Sequence, residues 1–409
     1  MPVALPFRTR DFPAMSARFK QRNADFVVVE IPAYDFSGSG DHLYFEIEKD
    51  GLTTHQAVQQ IARALQVPPR AIGYAGLKDA HAVTRQFFSI EHMPAERVQA
   101  LSLPGMTVRT VTRHRNKLKV GHLQGNRFVI RLRDVDVSAL PAVQAVLNAL
   151  AASGCPNYFG AQRFGHRHDT WQVGEAILRN DFHTAVAVMA GRPDERDREA
   201  AHAARGLFSQ GKYREAASAW PRGMGDAAAL CRAMARTPDD PRRALLTLNK
   251  RLLGLFVSAF QSHLFNRVVA HRIDGLDKVE VGDVAWKHDK GVVFSVEDAA
   301  AEAARAQSGE ISPSGPMYGA RMKLASGRPG ELEASLLAEA GLTIDDFPTS
   351  GPFQCAGGRR PLRFFPQRCA AQEGGDAHGP FIEVAFDLPS GCYATVVLQE
   401  IFKEGLQEG

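Results

Sequence analysis

The chain has 409 residues, which is more than one hydrophobic core usually supports, so two domains are expected. Its hydrophobic fraction of 44% and charged fraction of 23% are ordinary for a globular protein and exclude collagen-like, disordered and disulfide-stapled classes, while a net charge of +4 says little about partners. Five cysteines without a C-x-x-C pair argue against structural zinc, and the lack of a membrane-length apolar run or a signal-peptide pattern favours a cytoplasmic protein.

Strand and helix patterns share the first 135 residues. The strand patterns occupy residues 26–29, 42–49, 107–120 and 127–133. In the second of them Leu43, Phe45 and Ile47 fall on one face, and Thr53 or Thr54 can cap a helix that follows. In the last of them apolar residues alternate with arginines, which predicts a sheet with one buried face and arginines on the other.

A helix is predicted from Pro141 to Gly154, and after it helix patterns replace the mixture of strand and helix patterns. Residues 171–272 are rich in helix patterns and include one long helical segment at 242–271. The later segments are a hairpin at 283–295, a Pro/Gly/Ser-rich stretch at 308–319, a strand at 381–388 and a helix at 393–401. Sheet-like segments at both ends with helices between them suggest that one domain is inserted into another.

Charge is concentrated in one region. Between residues 101 and 133 there are eight lysines or arginines and no aspartate or glutamate. Such a one-sided stretch repels itself unless a polyanion lies near, so nucleic acid is the natural partner. The alternative is a basic face that is merely solvated.

Two tempting motifs carry little weight. Residues 206–213 (GLFSQGKY) nearly match the phosphate-binding loop, but Tyr213 occupies the position that needs a small hydroxyl, and a turn between two helices explains the segment better. His166 and His168 are two residues apart and would point away from each other on a helix, so no metal site is predicted.

Residues 73–87 contain the sharpest combination of reactive side chains. Two glycines bracket a turn before Lys78 and Asp79, and Arg85 follows at the start of an apolar strand. Cations close to Asp79 can keep a partly desolvated carboxylate ionised, as a nucleophile or general base requires. The alternative is that Asp79 only caps a turn.

Other segments interleave aromatic, amide and basic side chains. They are residues 20–26, 125–128 and 157–165. Amides read base edges, aromatic rings stack on exposed bases and arginines hold phosphates, so the combination suits single-stranded or looped RNA. The alternative for any one aromatic is packing in the core.

Five segments in this order resemble the TruD family of transfer-RNA pseudouridine synthases. They are residues 25–30 (DFVVVE), 76–86 (GLKDAHAVTRQ), 117–128 (KLKVGHLQGNRF), 156–165 (PNYFGAQRFG) and 388–395 (LPSGCYAT). The resemblance implies an α+β fold: a pseudouridine synthase catalytic domain with a mixed, largely antiparallel sheet, interrupted by an inserted α-rich α+β TRUD domain. The catalytic domain would comprise residues 1–153 and 365–409, and the insertion residues 154–364, with a loop extension at 365–380.

The resemblance also implies an activity and a set of site residues. The enzyme would isomerise uridine 13, in the D arm of transfer RNA, to pseudouridine after flipping the base, with Asp79 as the catalytic nucleophile. The positions that match the family's substrate contacts are Phe26, Asn126, Phe128 and Tyr393, where the last is familiar as phenylalanine. Lys20 is the candidate partner of Asp79. Neither cofactor nor metal is implied, since isomerisation exchanges no electrons and adds no group, and we expect a monomer.

Two other functions stay open on the residues alone. An RNA-binding module without catalysis would keep the basic stretch and the aromatics but would have no use for Asp79 in an RNA-facing pocket. A hydrolytic nuclease usually needs a carboxylate cluster that holds metal ions. For the inserted domain, we expect Arg163 and Arg167 to help to clamp RNA.

Overall fold

The computed structural model describes residues 5–409 and separates into two compact units. Phe7–Cys155 and Phe364–Gly409 together form one, which we call the sheet unit. Pro156–Arg363, with Leu5 and Pro6, forms the other, which we call the helical unit. Among the described residues, no helix is both long enough and apolar enough to cross a membrane.

The strands are listed here in chain order. In the described part of the chain, the sheet unit contains seven strands before the chain passes into the helical unit at residue 156. They are β1 Ala17–Phe19, β2 Phe26–Pro32, β3 His42–Asp50, β4 Gly73–Tyr74, β5 Val83–Glu91, β6 Met106–His114 and β7 Leu123–Leu132. At the crossing points and in the helical unit they are β8 Cys155–Pro156, β9 Val284–Lys287, β10 Val292–Ser295, β11 Ile311–Met317, β12 Gly358–Pro361 and β13 Arg363–Phe364. The sheet unit ends with β14 Gln367–Asp376, β15 Gly379–Pro389 and β16 Leu406–Glu408.

The helices follow the same order. They are α1 Thr54–Leu65, α2 Ala95–Gln99, α3 Leu140–Ser153, α4 Thr170–Leu178, α5 Phe182–Ala190, α6 Glu199–Ser209, α7 Tyr213–Ala219, α8 Gly225–Arg236, α9 Pro241–Leu245, α10 Lys250–His271, α11 Ala299–Gln307, α12 Gly327–Glu339 and α13 Ala394–Phe402.

One mixed sheet organises the sheet unit. Its strand order is β14-β15-β7-β2-β5-β3-β6, and β4 pairs with β5 beside that path. Only the β2–β5 pair is parallel, so the sheet is largely antiparallel, as predicted. Helix α1 covers one part of it, and its residues Ala57, Val58 and Ile61 pack with Leu43 and Phe45 of β3. The predicted inward face of β3 is therefore the core face.

Local capping explains where α1 begins. The Thr53 hydroxyl accepts the Gln56 N–H at 3.2 Å, and the Gln56 side-chain oxygen accepts the Thr53 N–H at 2.8 Å. This reciprocal pair satisfies two backbone donors that the first turn of a helix leaves free.

The helical unit packs α4–α10 around an apolar core, beside a sheet in the order β10-β9-β11-β12. The segment 206–213 joins α6 to α7, as predicted. The long helix predicted at 242–271 is instead two helices, α9 and α10, because Asn249 caps α10 by accepting the Arg251 N–H at 2.8 Å. The Pro/Gly/Ser-rich stretch at 308–319 contains β11, a buried strand between β9 and β12.

The loop extension predicted at 365–380 is wrong. Most of that segment is β14, which forms the edge of the sheet beside β15. Gly374 is required there, since a Cβ atom would lie 2.5 Å from the ring of Phe381 on β15. Gly374 thus makes room for a ring on the neighbouring strand.

Candidate active site

Asp79 lies in the loop between β4 and β5, and buried polar side chains hold the backbone of this loop. The Lys78 N–H donates to Thr54 Oγ1 at 2.9 Å, and Gln86 Nε2 donates to the Gly76 carbonyl at 2.6 Å. Thr54 and Gln86 also bond to each other at 3.0 Å, and both are buried. The loop that carries Asp79 is therefore fixed to α1 and β5 on both sides of residue 77.

Lys20 is the cation beside the Asp79 carboxylate. Its ammonium lies 3.5 Å from Asp79 Oδ2, with the lysine side chain 4% exposed and the aspartate side chain 42% exposed. The same ammonium lies 4.6 Å from the centre of the Phe26 ring and 3.5 Å from Glu408 Oε1. The backbone of Lys20 has φ of 58°, an uncommon conformation for a lysine that the surrounding contacts must stabilise.

The two cations that the sequence places next to Asp79 have other partners. Lys78 forms a buried ion pair with Glu30 at 2.7 Å, and Arg85 pairs with Glu48 at 2.7 Å. Burial raises the pKa of Glu30, and the charge and hydrogen bond of Lys78 oppose that rise. The expectation that Lys78 and Arg85 support the Asp79 carboxylate directly is thus not met; Lys20 holds that position.

A second buried lysine, Lys49, holds the backbone of residue 79. Its ammonium donates to the Asp79 carbonyl at 3.4 Å and to the Leu52 carbonyl, and the residue is 1% exposed. Burial, with the nearby Lys78 charge, lowers the pKa of Lys49 to about 8, against an opposing effect of Asp79. Lys49 thus anchors the Asp79 loop from β3.

Strand register places the aromatic candidates on the same face of the sheet as Lys49. Lys49 is opposite Thr84 on β5, Thr84 is opposite Val28 on β2, and Val28 is opposite Phe128 on β7. Residues directly opposite each other point to the same face. The anchor of Asp79 and the Phe128 ring therefore belong to one row across the sheet.

Phe26 and Asn126 share that face, because each is two residues from a member of this row. The rings of Phe26 and Phe128 are 6.0 Å apart, and both are buried. Asn126 is half-buried, and its Oδ1 atom has no hydrogen-bond partner among the described residues. Asp79, Lys20, Phe26 and Phe128 thus form a continuous series of contacts, and a buried acceptor without a described partner lies on the same face.

Tyr393 is the residue immediately before α13, at the end of the sheet where Asn126 lies. Asn126 is opposite Leu388 on β15, and the Ser390 N–H donates to the Gln124 carbonyl at 3.0 Å. The chain then turns into α13, which begins immediately after Tyr393.

Comparisons with known proteins agree on one family. The family model described as tRNA pseudouridine synthase D (TruD) matches residues 4–401. The chain belongs to the TruD family. The predicted resemblance is confirmed, and membership in a family of tRNA pseudouridine synthases confirms the predicted enzyme class, an isomerase, over the RNA-binding module and the nuclease.

Individual relatives match over nearly their whole length. The chain is 43% identical to tRNA pseudouridine synthase D of Geotalea daltonii over 398 residues, which cover 97% of this chain and 99% of that protein. It is 43% identical to the protein of the same name from Geobacter metallireducens over 401 residues, 98% of each chain. A crystal structure of a Methanosarcina mazei protein assigned as TruD aligns with a TM-score of 0.83 at 27% identity, covering 98% of this chain and 96% of that one. The α+β fold is thereby confirmed.

The TruD-like segment 156–165 has internal partners in the helical unit. Asn157 is buried and donates to the Pro361 carbonyl at 2.8 Å. Arg163 donates to Ser262 Oγ at 3.1 Å, and Arg167 pairs with Asp169 at 2.9 Å. Asn157 is therefore part of the buried interior of the helical unit, and the guanidinium groups of Arg163 and Arg167 both have partners within that unit.

The basic stretch at 101–133 is partly neutralised. Arg127 pairs with Asp387 at 3.0 Å and Arg131 with Glu383 at 3.2 Å. The other two members with carboxylate partners are Arg109, with Glu48, and the buried Arg133, with Asp25 and Asp376. The members with no described carboxylate partner are Arg113, Arg115, Lys117 and Lys119. The arginines of β7 lie on the face opposite its buried residues, as predicted, but they pair with carboxylates. The positive charge without a described carboxylate partner is concentrated at 113–119.

Two site residues escaped the sequence reasoning although a signal existed. Lys49 follows Leu43, Phe45 and Ile47 at the same spacing of two, so alternation alone places a lysine on the buried face of β3. Glu30 likewise continues the inward positions of β2. Among residues 5–409, no group of three or more histidine, cysteine, aspartate and glutamate side chains is close enough to hold a metal ion.

Proposed function

We propose that the protein converts uridine 13, in the D arm of transfer RNAs, to pseudouridine, with Asp79 as the nucleophile. The observation that supports this most is the half-exposed carboxylate of Asp79 next to the buried ammonium of Lys20, on the sheet face that also holds Phe26, Phe128 and Asn126. A carboxylate that faces RNA repels phosphate, so a protein that only binds RNA has no use for it there.

The reaction needs a flipped base and a positioned carboxylate. A uridine inside an RNA fold must leave its stack before an enzyme can reach C1′. Asp79 attacks C1′ and displaces uracil with the electrons of the N-glycosidic bond. The uracil rotates, its C5 attacks C1′, and the carboxylate leaves. The C5 proton is then lost and N1 takes up a proton, which gives pseudouridine, so atoms and electrons balance without a cofactor.

The surrounding residues have distinct parts in this proposal. Lys20 fixes the negative charge of Asp79 through an ammonium that is itself held between Phe26 and Glu408. Phe26 and Phe128 form an aromatic wall that retains the detached uracil during its rotation. The unpartnered Oδ1 atom of Asn126 accepts a hydrogen bond from the uracil N3–H. Tyr393 adds a further aromatic contact with the nucleoside.

The helical unit belongs to the same proposal. We assign it to the inserted domain expected at 154–364. The boundaries between the two compact units lie at 155/156 and 363/364, within two residues of those expected. Since Arg163 and Arg167 have partners within this unit, other basic side chains would have to hold RNA there. A monomer that acts on cytoplasmic transfer RNA completes the proposal.

Release of tritium tests the function. A transfer RNA transcript labelled with tritium at C5 of uridine loses one tritium to water for each uridine isomerised. We expect release of close to one equivalent, and none from a matched transcript with cytidine at position 13. Release that persists with cytidine 13 would show that another uridine is the target, and no release from either transcript would contradict the activity.

A further inference from the structure

Leu77 is a large apolar side chain held in solvent beside Asp79. It is 61% exposed. The next side chain, Lys78, turns inward to Glu30 and is 4% exposed, while Asp79 turns outward again. Leu77 and Asp79, on either side of the buried Lys78 in the chain, are thus both accessible to solvent.

Hydrogen bonds to the neighbouring backbone keep the Leu77 backbone in place. The carbonyl of Gly76 and the N–H of Lys78, which flank Leu77 in the chain, are both held by the buried pair Gln86 and Thr54. The Lys78 side chain is anchored as well. A leucine on a mobile loop could fold back onto the protein, but these contacts keep the backbone of residue 77 in place. The outward position therefore costs little conformational entropy when a partner covers the side chain.

A flipped base leaves a gap that such a side chain can fill. Proteins that distort nucleic acids insert apolar wedges, leucine among them, between base steps, and unstacking each step costs free energy. Covering an exposed leucine recovers energy of similar size. Residues 77 and 79 are at most about 7 Å apart along the chain, roughly two base steps of about 3.4 Å.

We propose that Leu77 inserts into the base stack of the transfer RNA at the position that the target uridine vacates, and so stabilises the flipped state in which Asp79 reaches C1′. This inference rests on the proposed function. Isolated exposed leucines are common on protein surfaces, so the test includes one of them as a control. Leu324 is 58% exposed and lies in the helical unit, outside any helix or strand.

Two readouts separate flipping from binding. In an Asp79→Asn background, which stops the chemistry, a 2-aminopurine placed next to uridine 13 becomes brighter when its neighbour leaves the stack. We expect Leu77→Ala to remove most of this increase while the dissociation constant for transfer RNA changes less than threefold. With Asp79 intact, the single-turnover rate of Leu77→Ala should fall about tenfold or more, Leu77→Met should recover most of it, and Leu324→Ala should match the parent protein.

A transcript in which the target base flips more easily should reduce the defect of the Leu77→Ala variant. Flipping costs least for a mispaired base, so the defect of Leu77→Ala should shrink on a transcript whose residues around position 13 cannot pair. An unchanged fluorescence increase and rate in Leu77→Ala would overturn the wedge, and so would an equal loss on both transcripts. If the parent protein itself releases no tritium from uridine 13, the proposed function fails rather than the wedge.

Discussion

The buried ion pair below the Asp79 loop provides a quantitative prediction. Glu30 and Lys78 meet at 2.7 Å with their side chains 1% and 4% exposed, and the Lys49 ammonium is close enough to affect Lys78. Glu30→Gln leaves the Lys78 charge buried next to a like charge. Breaking a buried pair from one side costs about 3–5 kcal/mol, so we expect the sheet unit to lose about that much free energy of unfolding.

The opposite variant should behave differently. In Lys78→Met the carboxyl of Glu30 has lost its cation, and its pKa, already raised by burial, rises further. A folded-state pKa above the unfolded value gives stability at low pH that is lost as pH rises through the folded pKa. Lys78→Met should therefore be close to the parent protein at pH 5 and progressively less stable toward pH 8. Replacing both residues with methionine should cost less than Glu30→Gln alone.

The stability measurement must report on unfolding of the sheet unit, which contains Glu30 and Lys78. Trp171, Trp220 and Trp286 are the three tryptophans of the chain, and all lie in the helical unit, so their fluorescence would not follow the sheet unit. Hydrogen exchange of peptides from β2 and β5, measured against denaturant concentration, gives the local free energy of unfolding directly. Two results would refute the reasoning: Glu30→Gln as stable as the parent, or the double variant as unstable as Glu30→Gln.

Three further changes test other parts of the site. Lys20→Met should lower turnover about 10- to 100-fold with little effect on RNA affinity, because it removes a charged partner worth about 1.5–3 kcal/mol from Asp79. The parent protein should lose about fivefold in turnover from pH 7 to pH 9, because Lys49, with its pKa lowered to about 8, loses the charge that strengthens its bond to the Asp79 carbonyl. Lys49→Met should be slower at pH 7 and lack this alkaline decline. We expect Arg115 and Lys119 each to hold one phosphate, so Arg115→Gln with Lys119→Gln should weaken RNA binding and lower the salt slope by about 2.

Each of these has a control. Lys20→Arg keeps the charge and should retain more turnover than Lys20→Met; equal losses would mean that charge is not what Lys20 supplies. An alkaline decline that persists in Lys49→Met would assign it to another group, such as the uracil. Arg109→Gln removes a cation that already pairs with Glu48, so the salt slope should change less than for Arg115→Gln.

The sequence predicted correctly those helices and strands whose formation depends on residues close to them in the chain. The alternation of β3 and the capping threonine of α1 were read correctly because each depends on neighbours within a few residues. The edge strand β14 was not, since the reason for Gly374 is the Phe381 ring on another strand. Strand β11 was obscured in the same way, because its prolines lie within a sheet whose pairing is set by residues far away in the chain.

In the candidate site, too, sequence reasoning could name some residues but not the partners that come from distant parts of the chain. Asp79 could be named from sequence because the family motif carries it, and its candidate partner Lys20 lies 3.5 Å from it in the structure. The actual partners of Lys78 and Arg85 could not, because Glu30 and Glu48 come from other strands. Adjacency in sequence suggested that Lys78 supports Asp79, but the Lys78 side chain is buried against Glu30 while the Asp79 side chain is 42% exposed.

The most direct test of the whole account is a single substitution that keeps the shape of residue 79 and removes its charge. Asp79→Asn, at saturating enzyme with 5-tritiated transfer RNA, should release no tritium over hours, while its dissociation constant for that RNA stays within a few-fold of the parent value. Measurable pseudouridine at position 13 with Asp79→Asn would contradict the account, since the proposed chemistry has no other nucleophile.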